Sequence, residues 1–128
     1  MTDWLSPEWF DEVRALGTDC PKRPDLSGTF QCELTGAPTG TVRCYAVLED
    51  GRLQSGSPGR APAADVALTA SWDDGVALTT GSLDPNVTFM QGRLKVTGSM
   101  ALMLALLSAT ASEAYRDFSK RLAAATDF

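Results

Sequence analysis

The chain has 128 residues, 44% of them hydrophobic and 21% charged, with a formal net charge of −5 and no histidine. That length suits one domain with a real core, and the missing histidine removes Ser-His and Cys-His nucleophile pairs, histidine bases and histidine metal ligands. Cys20, Cys32 and Cys44 lack C-x-x-C spacing, which speaks against a zinc site or a disulfide framework, and the absence of a basic run speaks against nucleic acid as a partner.

The opening stretch, MTDWLSPEWFDEV, is acidic and carries no apolar h-region, so the expected location is the cytoplasm. Ser6-Pro7 reads as a helix start, with serine at the N-cap and proline at the first helical position, where its missing N–H costs nothing. Trp9, Val13 and Leu16 then share one face, and Gly17 can close the helix. Residues 18–26 hold two prolines and read as a connector.

Alternating segments follow. Phe30, Cys32 and Leu34 point one way in Thr29–Thr35, and Val42, Cys44, Ala46 and Leu48 do so in Thr41–Glu49. With the turn centred on Pro38, Leu34 faces Val42, Cys32 faces Cys44 and Phe30 faces Ala46, a register in which every apolar residue meets another. Asp50-Gly51 is a type I′ hairpin signal that sets Leu48 beside Leu53 and starts a short third strand, Arg52–Ser55. After the loop Ser57–Ala64, the segment Asp65–Ser71 alternates again with Val66, Leu68 and Ala70 inward.

A short helix is expected over Trp72–Thr80, stopped by Gly81, and Asp84-Pro85 starts a brief one that ends at Gly92. Arg93–Thr97 is the expected fifth strand, with Leu94 and Val96 inward and Arg93 and Lys95 on the polar face. Met100–Leu107 is apolar at every position, far short of the ~20 residues that span a bilayer, so stable membrane insertion is not expected. A surface helix needs only one apolar stripe, so this helix has apolar surface to spare for core and cavity alike. Thr110-x-x-Glu113 looks like a capping box for a last helix with Tyr115, Phe118 and Leu122 on one face. Hairpin-linked strands followed by helices interleaved with strands describe an α+β domain with a half-buried sheet.

The segment Gly81-Ser82-Leu83-Asp84-Pro85, then Phe89-Met90-x-Gly92-Arg93-Leu94-Lys95-Val96-x-Gly98 and a short apolar helix, resembles the sterol carrier protein 2 (lipid-transfer) family. Ser99 departs from the acidic or amide residue the family often has there, and reads as an N-cap choice. The resemblance implies a five-stranded, mainly antiparallel sheet with helices over one face. Between them it implies an apolar tunnel for a lipid, sterol, fatty acyl chain or isoprenoid. On that reading residues 1–128 form a single domain with 111–128 as a C-terminal helix and candidate lid. The lining is Phe30, Leu34, Leu68, Trp72, Phe89, Met90, Leu94, Met100, Met103, Leu104 and Leu107. No cofactor or metal is expected, and a homodimer is left open.

The residues themselves leave three functions open. A carrier of a hydrophobic small molecule needs no catalytic group, and none stands out. A cyclase or isomerase could work by shape and carboxylates, for which Asp73-Asp74 is the visible pair, although charge at a helix start also explains it. An interaction module would use the apolar helices as a docking surface. The missing isoleucine and the wealth of Ala, Gly, Asp and Arg associate the chain with a GC-rich bacterial genome.

Overall fold

The computed structural model describes residues 2–128, Asp19 by its backbone alone. In chain order the elements are β1 (Thr2–Asp3), α1 (Pro7–Leu16), β2 (Gly28–Ala37), β3 (Gly40–Glu49), β4 (Arg52–Pro58), β5 (Val66–Ser71), α2 (Trp72–Thr80), α3 (Pro85–Met90), β6 (Lys95–Gly98), α4 (Met100–Thr110), α5 (Glu113–Ala124) and β7 (Thr126–Asp127). A 3-10 turn, Gly17–Asp19, follows α1. Strands β2 to β6 form one five-stranded sheet in the order β4-β3-β2-β5-β6, parallel only between β2 and β5.

The alternation of the strands sets this sheet. Phe30 lies opposite Ala46, Cys32 opposite Cys44 and Leu34 opposite Val42, as the pattern predicts. On the parallel side the same three residues meet Val66, Leu68 and Ala70. One face is thus apolar across its width. The other carries Glu33 opposite Arg43, with 3.4 Å between Oε2 and Nε. Asp50 and Gly51 both take positive φ, 54° and 78°, which a type I′ turn requires. They bring Leu48 onto Leu53. Strand β4 runs on to Pro58 instead of stopping at Ser55, because a bulge between Val47 and Leu48 restores pairing as far as Cys44.

The helix starts follow their caps. Ser6 Oγ accepts from the Trp9 N–H, and the Asp84 carboxylate accepts from the Asn86 N–H. Gly81 ends α2 in the left-handed conformation, φ 84°. Helix α5 differs from expectation. Its N-cap is Ser112, whose Oγ accepts from the Tyr115 N–H, because α4 continues through Thr110. The Thr110 hydroxyl instead donates back to the Leu107 carbonyl, 2.8 Å away.

Two apolar clusters fill the space between sheet and helices. One joins Leu26, Phe30, Leu34, Val66, Ala70 and Leu94 to Leu102, Met103, Ala105 and Leu107 of α4. The other joins Trp9 and Phe10 of α1 and Leu122 of α5 to Cys44. The chain ends close this second region. Strands β1 and β7 pair in parallel, Thr2 beside Thr126 and Asp3 beside Asp127. The Trp9 indole N–H donates to the buried Thr126 hydroxyl at 2.9 Å, which in turn donates to the Leu122 carbonyl.

Candidate functional site

Helix α4 begins at Ser99, whose Oγ accepts from the Leu102 N–H. Its period divides it into two sides. Met103 and Leu107, at i and i+4, are buried in the cluster under the sheet, Thr110 at i+7 is buried beside Asn86 of α3, and Met103 is 0% exposed. Met100, Leu104 and Ser108, at i, i+4 and i+8, face outward, with Leu104 56% exposed. Leu102 and Ala105 lie at the boundary. They belong to the buried cluster and also line a groove of about 630 Å³ on the helix flank. The surplus apolar surface of this helix is therefore divided between core and groove.

The groove has two unlike walls. Ala101, Leu102, Leu104 and Ala105 form the apolar one, while Asp25, Ser27, Asp65, Ser99 and Ser108 supply polar groups. Asp65 is held firmly. Its Oδ2 accepts from the Thr29 N–H at 2.8 Å, its N–H donates to the Thr29 carbonyl, and its carbonyl accepts from the Ser99 N–H. Gly28 makes this junction compact, since a Cβ there would sit 2.5 Å from Leu102 Cδ2 and 3.0 Å from Asp65 Oδ2.

Most of the expected lining residues come together. Phe30, Leu34, Leu94, Met103 and Leu107 are buried in the α4 cluster, and Leu68, Trp72 and Phe89 are partly buried against it. Three are placed elsewhere. Met90, at the end of α3, is 84% exposed, because Thr88 and Phe89 take the inward side of that short helix. Met100, 47% exposed, and Leu104 lie on the outer stripe of α4, so these two turn outward where an inward side was expected.

Sequence reading missed Leu26 and both groove aspartates. Leu26 lies in the proline-containing connector yet is 2% exposed, and its signal was a single large apolar residue before Gly28. Asp25 and Asp65 gave no signal, since aspartates beside turns are common.

Other candidates resolve into structural roles. Asp74 forms a bidentate pair with Arg93, whose Nε and Nη2 both reach the carboxylate, so the Asp73-Asp74 pair is not a free acid–base couple. Cys32 stands opposite Cys44, and the interaction between the two thiols holds the Cys32 pKa below its ordinary value and that of Cys44 above it, with burial raising Cys44 further. Among the described residues no group of three or more His, Cys, Asp or Glu could hold a metal ion, and no helix is long and apolar enough to cross a membrane.

Comparison with known proteins bears on this arrangement. The model of the SCP-2 sterol transfer family matches residues 10–110. The chain is 38% identical over 77 residues to hydroxysteroid dehydrogenase-like protein 2 of Bos taurus, covering 60% of this chain and 18% of that protein. Among solved structures, sterol carrier protein 2 superposes with a TM-score of 0.70 at 20% identity, over 92% of this chain and 98% of that one. Palmitated SCP2L2 from Aedes aegypti superposes with a TM-score of 0.65 at 22% identity, over 84% and 96%. With a family match across most of its length and the same five-stranded α+β architecture, the chain belongs to the SCP-2 sterol transfer family.

Proposed function

We propose that this protein holds a hydrophobic small molecule between the sheet and α4 and carries it without changing it. The observation that carries this reading is the division of α4, with Met103 sealed against the sheet while Leu102 and Ala105 border both the buried cluster and the groove. A helix so placed can shift slightly to admit an apolar body, and methionine is the side chain best suited to repacking. Phe30, Leu34, Leu94 and Leu107 would form the inner lining, with Leu68, Trp72 and Phe89 around them, and Leu104 and Met100 would stand at the mouth. In this reading an apolar tunnel between the sheet and α4 encloses the guest when it is bound. The palmitated state of the Aedes aegypti relative supports a long-chain guest. The whole chain serves as one carrier domain, working in the cytoplasm.

Native mass spectrometry of the purified protein, followed by organic extraction, tests this. A co-purifying lipid recovered unchanged is the expected result, and Met103→Trp should weaken uptake by filling the space. Turnover of an added lipid by the pure protein would overturn the carrier assignment and favour an enzyme.

A further inference from the structure

We infer that Cys32 and Cys44 form an oxidisable dithiol, which hydrogen peroxide converts into a disulfide between β2 and β3. Neither residue belongs to the lining of the proposed carrier space, so this chemistry stands apart from carriage. The two cysteines are direct partners in the antiparallel register, and period-2 alternation puts both side chains on the apolar face. Residues so opposed have Cα atoms about 4.5–5.5 Å apart, inside the roughly 4.4–6.8 Å over which a disulfide closes. No strand needs to slide for the bond to form. Cys20 has no such place, since it follows the 3-10 turn after α1 and lies outside the sheet.

The two thiols have unequal surroundings. Cys32 is partly exposed, whereas Cys44 is 5% exposed and packs with Trp9, Phe10 and Leu122. The neighbouring Cys44 thiol favours the Cys32 thiolate, and the thiolate is the nucleophile. Cys32 is therefore the sulfur that meets the oxidant, and Cys44 the one that resolves. The Cys32 thiolate attacks a peroxide oxygen and the O–O bond breaks. The departing hydroxide takes up the proton that Cys32 gave, leaving a sulfenic acid and water. The Cys44 sulfur then attacks the Cys32 sulfur, the S–O bond breaks, and hydroxide leaves with the Cys44 proton as a second water. Two thiols are oxidised to one disulfide, and the peroxide is reduced to water. Such a bond, made by peroxide and undone by thiols, is the transient kind that a reducing compartment permits.

Peptide mapping of the natural chain tests this. The folded protein is exposed to hydrogen peroxide, remaining thiols are blocked, and the chain is digested with trypsin in the absence of reductant. Arg43 separates Cys32 from Cys44, and Lys22 sets Cys20 apart, so each cysteine falls on its own tryptic peptide. The expected main product joins the Cys32 and Cys44 peptides, and dithiothreitol releases them. Reading linked peptides keeps methionine oxidation out of the result. Cys20→Ser should form the same link as the natural chain. Cys44→Ser removes the resolving thiol and should leave Cys32 as a sulfenic acid that dimedone labels, with cooperative unfolding in denaturant checking that the variant is folded. The natural chain decides the matter even where that variant does not fold. Absence of the link, a link formed only in denaturant, or links through Cys20 as abundant as the pair would each overturn the inference.

Discussion

The two apolar clusters under the sheet are covered in different ways. Over Cys44 the covering helices are amphipathic, and α1 and α5 turn Trp9, Phe10 and Leu122 inward and leave charged residues outside. The terminal strands and the Trp9–Thr126 hydrogen bond then lock that side. Over Phe30 and Val66 the cover is α4, which has no polar face to give to water and keeps Leu104 and Met100 exposed beside a groove. One region uses its apolar surface up in packing. The other keeps some in reserve, which is where the proposed guest would be received.

Removing residues 109–128 should do the most damage. Helix α5 supplies Leu122 to the closed cluster, and β7 carries the partner of β1. Loss of cooperative unfolding in denaturant is expected. A shortened chain that still unfolds cooperatively and exchanges ligand faster would instead make this segment a lid.

Single truncations sharpen the contrast. Trp9→Ala and Met103→Ala should each cost a few kcal/mol, about 3–5 for the tryptophan and about 2–5 for the methionine, as large-to-small core changes do. Their effects on uptake should separate. Equilibrium titration should show ligand affinity altered by Met103→Ala and unchanged by Trp9→Ala in the folded fraction.

Leu104→Ser should change stability by less than about 0.5 kcal/mol, because the side chain is exposed. Uptake should weaken all the same, as the groove loses part of its apolar wall. Unchanged binding would remove the outer stripe of α4 from the site.

The smallest effect is confined to alkaline pH. Burial pushes the Tyr115 phenol above its ordinary value of 10.0. The unfolded chain then loses its proton first, so the folded state binds more protons in that range and stability falls as pH rises through and beyond about 10. Below that window the contribution is complete. Tyr115→Phe should flatten the alkaline decline of the unfolding midpoint and leave it unaltered at pH 7.

Much of the sheet was legible beforehand. The pairings Phe30–Ala46, Cys32–Cys44 and Leu34–Val42 followed from period-2 alternation, because a one-residue slip would expose every apolar side chain. The caps at Ser6 and Asp84 and the Asp50-Gly51 turn were equally direct, each being a local hydrogen-bonding or φ requirement. The start of α5 was less so, since Thr110 and Ser112 both suit an N-cap and only the end of α4 decides between them.

What the sequence by itself determined was therefore local: which residues alternate, where helices start, where the chain turns, and the motif order of the family. The tertiary structure decided the rest. An all-apolar helix carries no polar stripe to orient it, so which side of α4 meets the sheet depended on the shape of the surface beneath, and with it the outward turn of Met100 and Leu104. The meeting of β1 with β7 and of Trp9 with Thr126 joins residues from opposite ends of the chain. No short-range pattern encodes such a contact, because it forms only after the intervening elements have packed. The same holds for the groove, whose Asp25, Asp65 and Leu102 come from separate segments and become one surface only in the folded molecule.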